Sequence, residues 1–100
     1  MSDWQARIAH DARLIILREL ARQVDGRLNA VSIRRVLDAY SIARSAEWIE
    51  TQLIAMAELE AVTVMRAGEI AIAAITDRGR DHVEERIIIA GISRPSDLRG

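Results

Sequence analysis

Apolar positions in this chain recur with a helical period in several stretches and change to a strand-like texture in one. The most regular helical stretch begins at Ser45, a residue suited to cap a helix because its hydroxyl accepts from an unpaired first-turn amide. Ala46, Ile49, Leu53, Met56 and Ala57 follow at three- and four-residue steps and share one helix face. Glu47, Glu50, Thr51, Ile54 and Glu58 fall on the opposite face, and Trp48, Gln52, Ala55 and Leu59 form a side stripe. After Glu60 the pattern becomes Val62-Thr63-Val64-Met65, a turn over Arg66-Ala67-Gly68-Glu69, and Ile70 to Ile75. Two β-prone runs around a glycine-containing turn predict a hairpin.

Upstream, Ser2 or Asp3 caps a helix running to about Gln23. Its broad apolar face holds Ala9, Ile16, Leu17, Leu20, Ala21 and Val24, widened by Leu14. Trp4, Ile8, Ala12 and Ile15 make a second, narrower stripe, and a helix with two stripes has two neighbours: here the core, and either the C-terminal tail or a second subunit. Asp25-Gly26-Arg27 has turn chemistry, and Leu28-Asn29 is a candidate short strand against the hairpin. Asn29 or Ser32 then caps a second helix with Ile33, Val36, Leu37 and Tyr40 facing inward and Arg34, Arg35 and Asp38 outward; Ser41 to Arg44 turns into the Ser45 helix.

Downstream, Thr76 caps a short helix reaching about Glu85 or Arg86, with Asp77 at its positive end. Gly79 lowers helix propensity, and close approach of another backbone would explain it. Ile87 to Ile89 are too apolar for a free linker and predict packing across this domain or a partner's, whereas Ser96 to Gly100 predict disorder. Two helices joined by a short turn, the second entering a hairpin, assemble a helix-turn-helix with a wing. The expected fold is α+β and mainly α: a winged helix-turn-helix with a three-helix core, a β-hairpin wing, a short C-terminal helix and an extended tail. The domain spans 3–86 and the tail 87–100.

Composition narrows the function. The chain has 100 residues, enough for one modest core, and half of them are hydrophobic, which argues against disorder. It has no cysteine, so disulfides and thiolate metal sites are excluded. The densest apolar runs, Leu14 to Leu17 and Ile87 to Ala90, are too short to span a bilayer, and no signal pattern opens the chain. A soluble protein of the cytoplasm, with no membrane role, is expected. His10 and His82 are the only histidines, far apart in sequence, and His82 with its carboxylate neighbours reads as surface rather than metal ligand. No nucleophile elbow, phosphate-cradling loop or zinc motif occurs, so no enzyme activity, catalytic residue or cofactor is expected.

Two partner classes compete. For DNA, the outer face of the Ser45 helix would enter the major groove, with Thr51 and Gln52 at base edges and Arg34, Arg35, Arg44 and Arg66 as a phosphate-positioning rim. The net charge of −1 and the glutamates of that face oppose this. Every cation is arginine, which reads as compositional bias from a GC-rich genome. For a protein partner, Trp48 and Leu59 carry apolar area off the core face, and Trp4 and Ile8 favour a homodimer.

The segments ILREL (Ile16–Leu20), RLN (Arg27–Asn29), QLIAMAELEAVTV (Gln52–Val64) and AAITDRGRDHV (Ala73–Val83) resemble winged-helix regulators of the ArsR and MarR type. With the tail RIIIAGISRPS added, almost the whole chain is similar to small ArsR-like proteins of Mu-like phages and prophages, which end in a comparable Gly-hydrophobic-x-Arg-Pro segment. Where those relatives carry Gly-Leu before the wing, this chain has Glu60-Ala61. ArsR-type metal sensing does not carry over, because the thiolates are missing. The resemblance implies a phage-encoded winged-helix protein found near packaging genes. The expected function is DNA-binding transcriptional regulation; the alternative is an interaction module for a phage or host protein that does not bind DNA.

Overall fold

The structure, a computed structural model, describes residues 2–98. Helix α1 covers Ser2–Arg22, strand β1 Arg27–Asn29, α2 Ala30–Ala39, α3 Ala46–Glu58, β2 Val62–Ala67, β3 Ile70–Ile75 and α4 Asp77–Val83, before a 3₁₀ turn at Pro95–Leu98. The described chain is thus a small α+β domain, mainly helical, with one antiparallel sheet in the order β1-β3-β2. No described helix is long and apolar enough to cross a membrane.

Local chemistry accounts for the boundaries. Asn29, Ser45 and Thr76 each stand extended before a helix and accept from the amides of Ser32, Trp48 and Gly79, filling the N-cap role. The last turns of α2, α3 and α4 all close in one way. Ile42, Ala61 and Arg86 donate their amides back to Leu37, Met56 and Asp81, while Ser41, Glu60 and Glu85 donate to Asp38, Ala57 and His82. This is the Schellman arrangement, which needs a left-handed residue after the helix. Ser41, Glu60 and Glu85 supply it at φ 65°, 64° and 61°, although none is glycine.

The core lies where the helices meet the inner side of the sheet. Leu14, Ile16, Leu17 and Leu20 of α1, Ile33 and Leu37 of α2, and Ile49, Leu53 and Met56 of α3 are buried together with Val62, Ala71 and Ala73. Burial of each large side chain contributes about 1.5–3 kcal/mol before entropy is counted. Within the hairpin Val62 faces Ile75 and Met65 faces Ile72, and Gly68 takes φ 64° in the two-residue turn, one residue pair tighter than the sequence predicts. Gly79 has the expected reason: a Cβ there would collide with the Ala61 carbonyl oxygen, so α4 crosses the end of α3 with no room for a side chain. Thr76 ties the same junction, its hydroxyl lying 2.7 Å from the Glu60 oxygen and its amide donating to Ala61 O at 3.1 Å.

Several expectations are corrected. Val24 is fully exposed because α1 stops at Arg22, and Tyr40 is 55% exposed because α2 closes at that position. Ala46, at the first position of α3, is also exposed. The second stripe of α1 meets this chain's own tail, one of the two neighbours expected for it: Ala12 and Ile15 are buried, with Ile42 and Leu98 packed nearby. The tail packs across this domain, the first of its two expected courses: Ile89 and Ile92 join the core, Ser93 Oγ donates to Asp11 and the Ser93 amide to His10 O, and only Ile88 departs from the expectation by staying exposed. Residues 96–98, expected to be disordered, form a turn in which the Arg94 amide donates to Asp97; residues 99 and 100 lie outside the described residues. His82, expected at the surface, is fully buried. Its Nδ1 accepts the Ile89 amide at 3.1 Å, so Nε2 carries the hydrogen and donates to Ser93 O at 2.9 Å.

Candidate functional site

The exposed side of α3 and the neighbouring hairpin present the most distinctive surface. Glu47, Thr51, Ile54 and Glu58 are exposed along α3, and Glu50 is half-buried beside them. Ile54 is 56% exposed, a branched aliphatic side chain set among carboxylates. Helical spacing explains the stripe: these residues occupy the face opposite Ile49, Leu53 and Met56, which are held in the core.

Of the six residues expected to serve DNA, the structure leaves Arg34 and Arg35 exposed on α2, with no ion pair among the described residues. Arg44 is half-buried, its guanidinium 5.4 Å from the centroid of the Trp48 ring, a cation–π distance. Thr51 is exposed, but its hydroxyl donates to Glu47 O at 3.0 Å, the back-bond usual for threonine within a helix. Arg66 is engaged: its NH2 lies 2.6 Å from Glu50 Oε1 and its NH1 donates to Glu69 O.

Gln52 is a correction. It is 4% exposed and accepts from Arg13 Nε at 2.9 Å, so it cannot reach a base edge. Arg13, which the sequence pattern does not single out, joins three elements: besides Gln52 on α3 it donates to Gly91 O of the tail from its place on α1. Burial lowers its guanidinium from the ordinary value. A long-range polar bridge of this kind has no local periodicity by which it could be found.

Among the residues expected at a protein interface, Trp4 is 67% exposed near the start of α1 and Ile8 is half-buried. Trp48 and Leu59 are half-buried and packed against the core; Leu59 lies under Gly91, where an added Cβ would meet its Cδ1 at 3.3 Å. The exposed apolar side chains instead include Ile54, Met65 and Ile70. Trp4 is therefore well separated in role from Trp48, which completes the fold beside Arg44.

No family model matches the chain. No solved structure matches it. Among curated proteins it is 33% identical over 88 residues to the uncharacterized protein gp26 of Escherichia phage Mu, an alignment covering 88% of this chain and 91% of that protein. Similarity over nearly the full length of both proteins sets the relationship: the chain belongs to the family of phage Mu gp26.

Proposed function

We propose that this is a phage-encoded winged helix-turn-helix domain that works by protein contact through the exposed face of α3, in phage assembly or in engaging a host factor. The order of elements, with α2 and α3 joined by a short turn and α3 leading into a hairpin, supports the winged-helix reading. The membership shared with a phage Mu protein supports the phage origin.

One observation carries the choice of partner. In DNA-binding winged helices the exposed face of the second helix of the motif approaches the major groove, and the wing touches the backbone. Here that face carries Glu47, Glu50 and Glu58 around Ile54, and the cation nearest to it on the wing, Arg66, is already neutralised by Glu50. Polyphosphate would meet like charge with little compensation, whereas a protein surface can cover Ile54 and match the carboxylates.

The regulator reading keeps one observation in its favour, Arg34 and Arg35 of α2, exposed and without an ion pair among the described residues. A mobility-shift titration on the phage's own promoter DNA at two salt concentrations separates the readings. The protein-contact reading expects no salt-sensitive binding at low ionic strength. Steeply salt-dependent binding that Arg34→Ala or Arg35→Ala weakens would replace it with transcriptional regulation.

A further inference from the structure

The tail is held to the domain by a small set of groups, and one of them titrates near neutral pH. Of residues 87–94, Ile89 and Ile92 are buried in the core and Ile87 packs against it, while Ile88 and Ala90 are exposed. Polar contacts supply the rest of the hold. Gly91 O accepts from Arg13 of α1, the Ser93 amide donates to His10 O, and Ser93 Oγ donates to Asp11. Two further bonds belong to His82 of α4, whose Nδ1 accepts the Ile89 amide and whose Nε2 donates to Ser93 O. The imidazole that makes them is fully buried.

We propose that the tail is a strap that acid releases through His82. The bond from the Ile89 amide needs a free lone pair on Nδ1. A protonated imidazole carries N–H donors on both nitrogens, so the ring cannot take a proton and keep this bond. Two donors would then face each other away from water, and the Ile89 amide would be left without an acceptor. The charges nearby are already engaged, and none among the described residues forms an ion pair with the ring. On α1, Asp11 accepts from Ser93 and Arg13 bonds Gln52 and Gly91 O, while His10 enters through its backbone oxygen. Around the end of α4, Asp81 and Glu84 pair with Arg86, and Glu85 accepts from the Ser96 amide. On the tail, Arg94 pairs with Asp97. Opening the tail therefore takes up a proton, because an exposed histidine binds one below about pH 6.5. The strap is closed at neutral pH and its closure weakens as pH falls through that range. Once open, it frees Ile89 and Ile92 from the core and uncovers Leu59, which lies against Gly91.

Amide hydrogen exchange on the full chain, corrected for the intrinsic pH dependence of exchange, tests the strap. The Ile89, Ile92 and Ser93 amides should be less protected than those of Leu53 and Met56 in α3, the mark of a local opening. Between about pH 7.5 and about pH 5.5, above the carboxylate range, their protection should fall about tenfold. His10→Gln should leave this response unchanged. His82→Gln keeps an acceptor and a donor but does not titrate, so it should abolish the response where circular dichroism shows the variant folded. Tail protection that is flat across this range, or equal to that of α3, would overturn the proposal whether or not His82→Gln folds. So would a response lost in His10→Gln or retained in folded His82→Gln.

Discussion

Arg66 lies 2.6 Å from Glu50, so the cation of strand β2 is paired with a carboxylate of α3 rather than left free. The pair is partly exposed, its side chains 52% and 33% accessible, and solvent screens pairs of this kind to about 0–1 kcal/mol. Its consequence is therefore electrostatic more than structural. Replacing Glu47, Glu50 and Glu58 by glutamine should release Arg66 and move the net charge from −1 to about +2. On the protein-contact reading, salt-sensitive binding to duplex DNA should then appear in mobility-shift assays, stronger than any given by the natural chain, with the melting temperature little changed.

Gly79→Ala should be among the most damaging single substitutions. Its Cβ would strike the Ala61 backbone oxygen, which cannot rotate away, and would crowd Ile75 Cγ1 at 2.9 Å. Overpacking of this kind costs about 1–3 kcal/mol or more. For a domain of this size, that lowers the melting temperature by about 10 °C. A differential scanning calorimetry trace within about 2 °C of the natural chain would contradict the close crossing of α4 over the end of α3.

Three helix ends hold left-handed residues that carry a Cβ: Ser41, Glu60 and Glu85. Glycine at each should stabilise by about 0.5–1 kcal/mol, the relief of left-handed strain less the added freedom of the unfolded chain. Glu85→Gly should gain least, because it also loses the bond from the Ser96 amide. Chemical denaturation midpoints of the three single variants and the triple variant test both the sign and the additivity.

His82→Leu should destabilise by about 2–4 kcal/mol, since it strands the buried Ile89 amide and the Ser93 carbonyl oxygen without partners. The damage should be local first: the Ile89 amide should lose protection in hydrogen exchange before the amides of α3 do. Equal loss across the chain would mean that the tail is not a separate layer of stability.

Acid should act on the C-terminal turn at a pH below the usual carboxylate range. The Arg94 amide, and then the Arg94 guanidinium, hold the Asp97 carboxyl below its ordinary value. A depressed folded-state value means that the stabilisation is present above the unfolded carboxylate range and is lost as pH falls through the lower folded value. An NMR titration of the Asp97 carboxyl carbon should show this inflection, and Arg94→Ala should move it upward.

The helices, their caps and the hairpin were written in local pattern. Ser45, Asn29 and Thr76 announce helix starts, the spacing of Ile49, Leu53 and Met56 picks the core face, and the runs around Gly68 pair as strands. These features depend on neighbours within a turn or two of the chain, so periodicity and capping chemistry determine them. Gly79 was likewise legible as a close approach, though not what approached it.

Tertiary contact decided the rest. Gln52 looks available on a helical wheel, but Arg13, 39 residues away, draws it inward. His82 looks like surface among carboxylates until the tail folds back and places the Ile89 amide and Ser93 oxygen at its two nitrogens. Arg66 looks like a free cation until the hairpin register carries it to Glu50. In each case a polar side chain has no intrinsic preference for a buried or paired state. That preference comes from a partner distant in sequence, which only the folded chain brings within a hydrogen bond.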